Sequence, residues 1–208
     1  MSNPWKDIDL QVYEAHMQLD SVRQLQALDA IMEQQFSLCK GTQVMILGIA
    51  GGNGLRHVKS HAFQTVYGVD VNGAYLKECQ MRYPALKDIF KPIEADLLDE
   101  RTQLPKCDLL LANLLVEYIG YARFQELVSQ SGADIISIVI QLDSDEGFIS
   151  DSPYLHTFDV LDTIHEQIRE AALTNTMKEI DYVLTGRCAY PLPNEKLLLQ
   201  LDYEKANK

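Results

Sequence analysis

A glycine-rich turn between two apolar segments constrains this chain more than any other feature. The apolar run 44–47 leads into residues 48–54, where four of the seven residues are glycine. A second apolar run, 66–69, ends at the carboxylate of Asp70. Glycine lets backbone approach a ligand because it has no Cβ, and an acid at the next strand tip accepts hydrogen bonds from ribose hydroxyls. The pattern predicts an α/β protein that holds a nucleoside cofactor.

Length and composition indicate a globular protein with one core. The chain has 208 residues, of which 47% are apolar and 23% are charged. No stretch approaches the ~20 continuous apolar residues that cross a bilayer. The first residues lack the basic-then-apolar layout of a secretion signal. We therefore expect a cytoplasmic protein without a membrane partner.

The charge balance bears on the partners that the chain can bind. There are 18 basic and 30 acidic residues, which gives a net charge of −12. A surface this acidic repels phosphate backbones, so nucleic acid is disfavoured and a small-molecule substrate is expected. The sequence leaves a monomer and a homodimer both open.

Four cysteines are spread along the chain without a CxxC pair, at Cys39, Cys79, Cys107 and Cys188. This spacing does not match a zinc or thioredoxin-like site, so we expect reduced thiols and no metal. Cys107 and Cys188 fall at apolar strand segments, which favours small core residues.

Strand and helix patterns alternate through the middle of the chain. Strands are predicted at 44–49, 65–70, 89–94, 107–112 and 135–142, and helices at 53–61, 72–82, 118–130 and 159–179. Alternation of this kind predicts right-handed crossovers and a mainly parallel sheet that is covered on both faces.

The two ends of the chain add to this pattern. An amphipathic helix is predicted over 5–19, and a second helix starts at Asp20 or Ser21 with a capping-box sequence and ends near Lys40. Two strand-like runs, 182–190 and 196–203, are too close for a helical crossover and predict an antiparallel hairpin. We divide the unit into a helical extension, 1–40, and a Rossmann-like domain, 41–208.

Together these features resemble the class I S-adenosylmethionine-dependent methyltransferases. The resemblance spans roughly residues 21–203 and implies a doubly wound, mainly parallel seven-stranded sheet with a C-terminal antiparallel hairpin. The family's first loop reads acid-x-Gly-x-Gly-x-Gly. Here Gly48 occupies the position of the acid and Ala50 replaces the first glycine. Gly52 and Gly54 match the two later glycines. Alanine resists positive φ, so we expect a turn that alanine can adopt.

The resemblance also implies a set of residues that bind S-adenosyl-L-methionine. Asp70 would hold both ribose hydroxyls, although an acid before a helix can also be its cap. Asp96 would accept from the adenine amino group, the backbone N–H of Leu97 would meet the ring, and Val71 would cover one adenine face. The remaining candidates are the loop residues Gly48, Ala50, Gly51, Gly52 and Gly54.

Residues after the fourth strand would lie between the sulfonium and the methyl acceptor. By resemblance, Asn113 is the first contact there and Leu114 lies along the methionine portion. The Asn-Pro-Pro-Tyr signature of enzymes that methylate planar nitrogens is absent, because two leucines replace the prolines. Glu117 and Tyr118 either act on a substrate proton or only begin a helix.

Methyl transfer to a hydroxyl or ammonium group needs a base for the acceptor proton. Tyr13 and His16 are three residues apart on the first predicted helix, a spacing that puts both on one face. His16 is the natural base because histidine titrates near neutral pH. The alternative is that both side chains only pack this helix on the domain. The candidate catalytic residues are Tyr13, His16 and Asn113.

Two other functions remain open on the sequence alone. A nicotinamide-dependent oxidoreductase shares the glycine-rich turn and downstream acid, but Ala50-Gly51-Gly52 fits its fingerprint poorly. A non-catalytic methyltransferase-like binding subunit would account for the missing acid at Gly48. The acidic segment 141–153 is expected either to cover the substrate or to be a solvated loop.

Overall fold

The computed structural model describes residues 3–142, 149–150, 152–193 and 195–206. Its centre is one sheet, whose strands are β1 (Gln43–Leu47), β2 (Thr65–Asp70), β3 (Phe90–Glu94), β4 (Leu109–Asn113), β5 (Ile135–Leu142), β6 (Tyr182–Pro191) and β7 (Leu197–Lys205). The strand order is β3-β2-β1-β4-β5-β7-β6. The first five strands are parallel, β7 is antiparallel to β5, and β6 pairs antiparallel with β7. The predicted fold is therefore confirmed.

Helices cover both faces of the sheet. They are α1 (Leu10–Met17), α2 (Gln24–Ser37), α3 (Gly73–Arg82), α4 (Val116–Ser131) and α5 (Glu170–Lys178). Short 3-10 turns lie at Pro4–Lys6, Leu55–His57, Pro84–Leu86 and Leu155–Thr163. Within the described residues, no helix combines the length and the apolar character needed to cross a bilayer.

The two faces of β1 show why the sheet is buried on both sides. Val44 and Ile46 belong to an apolar cluster with residues of α2 and α3, whereas Met45 and Leu47 belong to a cluster with residues of α4 and α5. Successive side chains of a strand point to opposite faces, so a continuous apolar run requires cover on both. This cover fixes the layers of the fold.

The chain order reverses between β1 and β4, which creates the crevice typical of open α/β sheets. From β1 the chain moves outward through β2 to β3, and it then returns to place β4 on the other side of β1. Leu47, near the carboxyl end of β1, pairs with Val69 on one side and Ala112 on the other. Ligands of such sheets bind at this switch point.

The predicted helix 53–61 is wrong. The structure has only the 3-10 turn Leu55–His57 there. Gly52 and Gly54 take φ of 84° and 82°, outside the helical region. Helix α2 covers the adjoining face instead, where Met32 of α2 packs in the same apolar cluster as Leu55.

Three other helix boundaries differ from the sequence predictions. The segment 159–179 is divided into the 3-10 turn and α5, and the segment 5–19 is divided into Pro4–Lys6 and α1. Helix α2 begins at Gln24 without a side-chain cap, because Arg23 precedes it in a left-handed conformation with φ of 54°. The predicted capping box at Ser21 is therefore wrong.

The cysteines differ in burial. Cys79 and Cys107 are buried, but Cys188 is exposed because β6 is the last strand of the sheet. The prediction that Cys188 is a core residue is wrong. All four thiols are free.

Candidate functional site

The carboxylate of Asp70 joins the tips of β1 and β2. One oxygen accepts a hydrogen bond from the backbone N–H of Ala50 at 2.8 Å, and the other accepts from the backbone N–H of Asn72 at 2.9 Å. The cap of α3 is the Asn72 side chain, which accepts from the N–H of Ala74 at 3.0 Å. Burial raises the pKa of Asp70, while these N–H groups favour the ionised form. The two strand tips therefore lie side by side, linked by one acid.

The glycine-rich loop places backbone in conformations that few side chains accept. Gly48 has φ of 67°, and Ala50 has φ of 48° although it carries a Cβ. Alanine thus adopts the left-handed region that it resists, contrary to the expectation of an ordinary turn at Ala50. Leu114, at the tip of β4, is also left-handed, with φ of 53°. Both strained residues lie at the switch point, and strain of this kind concentrates at functional sites.

A cavity of about 640 Å³, its mouth included, opens between these tips, and we call it the strand-tip cavity. It brings together eight predicted site residues: Tyr13, Gly48, Ala50, Asp70, Val71, Leu97, Asn113 and Leu114. The base of a nucleoside has apolar flat faces, and its ribose has polar hydroxyls. A cavity with the carboxyl group of Asp70 among apolar side chains matches both parts.

A second cavity of about 570 Å³ adjoins the first, and we call it the histidine cavity. Its polar lining residues are His16, Gln24, Glu117, Gln141, Ser150 and His165. Apolar side chains that include Met17, Phe158 and Leu161 form the rest of its lining. Four residues line both cavities and form their shared wall: Trp5, Tyr13, Leu114 and Tyr118.

Not every predicted site residue lies at these cavities. Gly51 lines a smaller cavity of about 480 Å³ beside α1. Gly52 lies against the side chains of Leu55, Tyr83 and Cys79, and Gly54 lies against Met32. Gly52 and Gly54 therefore contribute to the conformation of the turn and not to the lining of the two cavities.

The N-terminal segment is tied across the strand-tip cavity. The Asn3 amide donates to the carboxylate of Asp96 at 3.0 Å. By resemblance, the same carboxylate would accept a hydrogen bond from the adenine amino group. The Asn72 amide donates to the carbonyl of Trp5 at 3.2 Å, and the Tyr75 hydroxyl donates to the carbonyl of Ile8 at 2.8 Å. These contacts bring Trp5 and Tyr13 over the strand tips. Asp96 itself is beside the cavity, between its lining residues Ala95 and Leu97.

An ion pair holds α1 against the glycine-rich loop. Arg82 of α3 donates to both carboxylate oxygens of Glu14, at 2.5 and 2.9 Å, and to the carbonyl of Gly51 at 3.4 Å. Glu14 lines the same small cavity as Gly51. Gly48 stands where the methyltransferase pattern has an acid. The carboxylate of Glu14 lies near this position, but it belongs to α1.

The Asn113 amide is engaged by helix α2. Asn113 and Gln35 exchange two hydrogen bonds, each of 2.8 Å, and Gln35 also donates to the hydroxyl of Ser137 at 2.9 Å. Gln35 is fully buried. The pair fixes the end of β4 directly before the left-handed Leu114.

His16 lies in the histidine cavity as a buried side chain. Its Nδ1 is 2.8 Å from the hydroxyl of Ser152, and its ring centroid is 5.0 Å from that of Phe158. Burial lowers the pKa of His16, and the nearby charge of Lys196 lowers it further. His16 is therefore held in its neutral form near pH 7, the form that accepts a proton. The described residues contain no group of three or more His, Cys, Asp or Glu side chains that could hold a metal ion.

No protein-family model matches the sequence, and the search of curated proteins finds no match. Solved structures are similar in fold. Magnesium protoporphyrin IX methyltransferase from Synechocystis PCC 6803, solved with bound S-adenosylmethionine, has a TM-score of 0.60 at 14% identity, over 88% of this chain and 79% of that one. Geranyl diphosphate C-methyltransferase from Streptomyces coelicolor has a TM-score of 0.66 at 10% identity, over 88% and 84%. This chain has the S-adenosylmethionine-dependent methyltransferase fold.

The methyltransferase fold alone does not fix the reaction. The cyclase SpnF matches with a TM-score of 0.65 at 9% identity, over 88% of this chain and 82% of that one. One fold can carry different chemistries, so the function has to be argued from the site.

Several residues of the site were not predicted from the sequence to have a role there. Trp5 and His165 both line the histidine cavity, and the sequence patterns assign neither of them a role there. Gln35 had no predicted role. The sequence signal for Gln35 is its position, four residues after Ile31 on the apolar face of the predicted second helix. Of the acidic segment 141–153, residues 143–148 and 151 lie outside the described ranges.

The strain at Ala50 predicts a stability gain from an Ala50→Gly substitution. A left-handed L-residue costs about 1–2 kcal/mol, and the greater freedom of glycine in the unfolded chain offsets part of this. We expect a net gain of roughly 0.5–1 kcal/mol, seen as a melting temperature higher by about 1–4 °C. The matched control is Ala30→Gly on the exposed face of α2, which should lower stability by about 0.5–1 kcal/mol. An equal loss in both variants would contradict the assignment of strain.

The burial of His16 predicts a depressed pKa that can be measured directly. In an NMR titration, its Cε1 proton should titrate below the ordinary value of 6.5, with the His16→Gln variant used for assignment. Lys196→Met should raise the His16 pKa partway, because it removes a nearby positive charge while burial remains. A His16 pKa at or above 6.5 would contradict the buried, neutral state.

Proposed function

We propose that this protein is a cytoplasmic S-adenosyl-L-methionine-dependent methyltransferase that acts on a small molecule. The observation that carries the proposal is the pair of adjoining cavities. The strand-tip cavity is lined by Asp70 at the end of β2, and the histidine cavity is lined by the neutral His16. The two cavities share one wall. A cofactor and an acceptor in these cavities would meet at that wall.

The strand-tip cavity would hold the adenosyl part of the cofactor. Asp70 would accept hydrogen bonds from the ribose hydroxyls, in addition to the two N–H groups that already orient it. Val71 and Leu97 would pack against the adenine ring, and Asp96 would accept from its amino group. Gly48 would allow close approach of the ribose and methionine portions, because no side chain projects from it.

The methionine end of the cofactor would lie toward the small cavity beside Gly51. Glu14 lines that cavity and is held in place by Arg82. We propose that Glu14 supplies the negative charge for the cofactor's ammonium group that the first strand does not supply. Asn113 would act as a positioning residue, since its amide is paired with Gln35.

The chemistry would be an in-line displacement at the methyl carbon. The bound cofactor is already activated, so the protein mainly has to align the nucleophile and exclude water. His16 would take a proton from a hydroxyl or ammonium acceptor, because burial keeps it neutral near pH 7. The partly buried Tyr13 would contact the reacting groups as a neutral phenol, since desolvation and the charges of Asp70 and Glu14 raise its pKa.

The size of the histidine cavity, about 570 Å³ with its mouth included, supports a small acceptor. Residues of α1, the turn Leu155–Thr163 and the N-terminal segment contribute to its lining. With a net charge of −12, the surface also disfavours nucleic acid. In this proposal, residues 1–40 are an extension that completes the acceptor side, and residues 41–208 carry the cofactor.

A non-catalytic binding subunit is the second candidate, and the glycine at position 48 favours it. That loop position lacks the acid of the methyltransferase pattern. The nicotinamide alternative has no support from the compared structures.

Replacement of Asp70 tests the proposal. Asp70→Asn should weaken binding of S-adenosylmethionine and S-adenosylhomocysteine by about 10- to 100-fold in calorimetry, because hydrogen bonds to a charged acceptor contribute roughly 1.5–3 kcal/mol. Asp99→Asn is the matched control, since that carboxylate is on the surface and bonds to Arg101. It should leave binding unchanged. No binding by the unmodified protein at millimolar cofactor would reject the proposal.

A further inference from the structure

The wall between the two cavities is built mainly from aromatic rings. The ring centroid of Trp5 lies 5.7 Å from that of Tyr13 at an interplanar angle of 84°, and 5.1 Å from that of Tyr118 at 90°. Trp5 is therefore nearly perpendicular to both tyrosine rings. We call the three residues the aromatic corner.

The aromatic corner lies where a transferred methyl group would have to pass. Its three residues line both cavities, whereas Asp70 lines only the strand-tip cavity and His16 lines only the histidine cavity. Before it moves from the one cavity to the other, the methyl group is bonded to a sulfur atom that carries a positive charge. The sulfonium would therefore lie beside these rings.

Little else in the strand-tip cavity compensates for a positive charge. Among its described lining residues, Asp70 is the one carboxylate, and it is assigned to the ribose. Tyr13 is no anion, because its pKa is raised by burial and by nearby carboxylates. A cation that leaves water needs a replacement for its hydration, and the negative faces of aromatic rings provide one.

We propose that the aromatic corner recognises the sulfonium charge, so that the protein binds the methylated cofactor more tightly than its demethylated product. The proposal rests on the proposed function, because it assumes that the cofactor occupies the strand-tip cavity. It adds a role for Trp5 and Tyr118 that the sequence pattern does not assign.

The consequence is a site that loses affinity as the reaction proceeds. A bond forms between the acceptor nucleophile and the methyl carbon while the carbon–sulfur bond breaks, and sulfur keeps the electron pair. The sulfonium becomes a neutral thioether, and His16 takes the proton of a protonated acceptor. The rings then face no cation, which favours product release.

Calorimetry on the full chain with three probes tests the proposal. The probes are S-adenosylmethionine, the neutral S-adenosylhomocysteine, and sinefungin, in which an ammonium-bearing carbon replaces the methylsulfonium. We expect both cationic probes to bind about five- to tenfold more tightly than the neutral one. In Trp5→Leu this ratio should fall toward one, while binding of S-adenosylhomocysteine changes less than threefold. Trp5→Phe keeps a ring and should restore part of the ratio.

Controls separate the rings from other effects. Phe158→Leu removes a ring that lines only the histidine cavity, and it should leave the ratio unchanged. Tyr118→Leu and Tyr118→Phe provide a second pair, with the ratio reduced only in the former, and circular dichroism verifies folding. Equal affinity for all three probes, or an unchanged ratio in both leucine variants, would overturn the proposal. Absence of binding by every probe would instead reject the cofactor assignment itself.

Discussion

The whole site depends on one buried carboxylate that bridges two strand ends. Asp70 terminates β2 and accepts a backbone N–H from the β1 loop and another from the start of α3. An ionised acid is costly to bury unless hydrogen bonds compensate, and two N–H donors provide that compensation. Because the same contacts fix the loop around Ala50, the acid orders the cavity as well as lining it. Asn72 caps the helix, so Asp70 is not needed as the cap and lines the cavity instead.

The strain at Ala50 and Leu114 follows from this arrangement. Both residues are left-handed, and they follow the two central strands on either side of the switch point. Each has a specific restraint next to it: the Ala50 N–H is bonded to Asp70, and Asn113 is bonded to Gln35 immediately before Leu114. A conformation that costs about 1–2 kcal/mol persists only where its surroundings determine it. In this protein the restraints fix the backbone of both strand tips where they line the cavity.

The sequence predicts the cofactor half of the site far better than the acceptor half. Asp70, Val71 and Ala50 follow strands whose apolar runs are unambiguous, and parallel strands bring their carboxyl ends to one edge. The histidine cavity is assembled from distant pieces without such a rule: His16, Phe158 and His165 meet only through tertiary packing. Local patterns also failed at 53–61, where α2 already covers the face that a helix would have filled. Periodicity shows that a segment can be helical, but not which element occupies a face.

How the N-terminal segment is attached explains why its side chains can serve the cavities. Asn72 and Tyr75 of the α3 region hold this segment through the backbone carbonyls of Trp5 and Ile8. Attachment through the main chain leaves the Trp5 ring to pack against Tyr118. Substitution of such a side chain changes the lining while the carbonyl contacts remain. The acceptor side can therefore vary in chemistry on a fixed cofactor site, because the hydrogen bonds to the carbonyls of Trp5 and Ile8 do not involve the side chains at these positions.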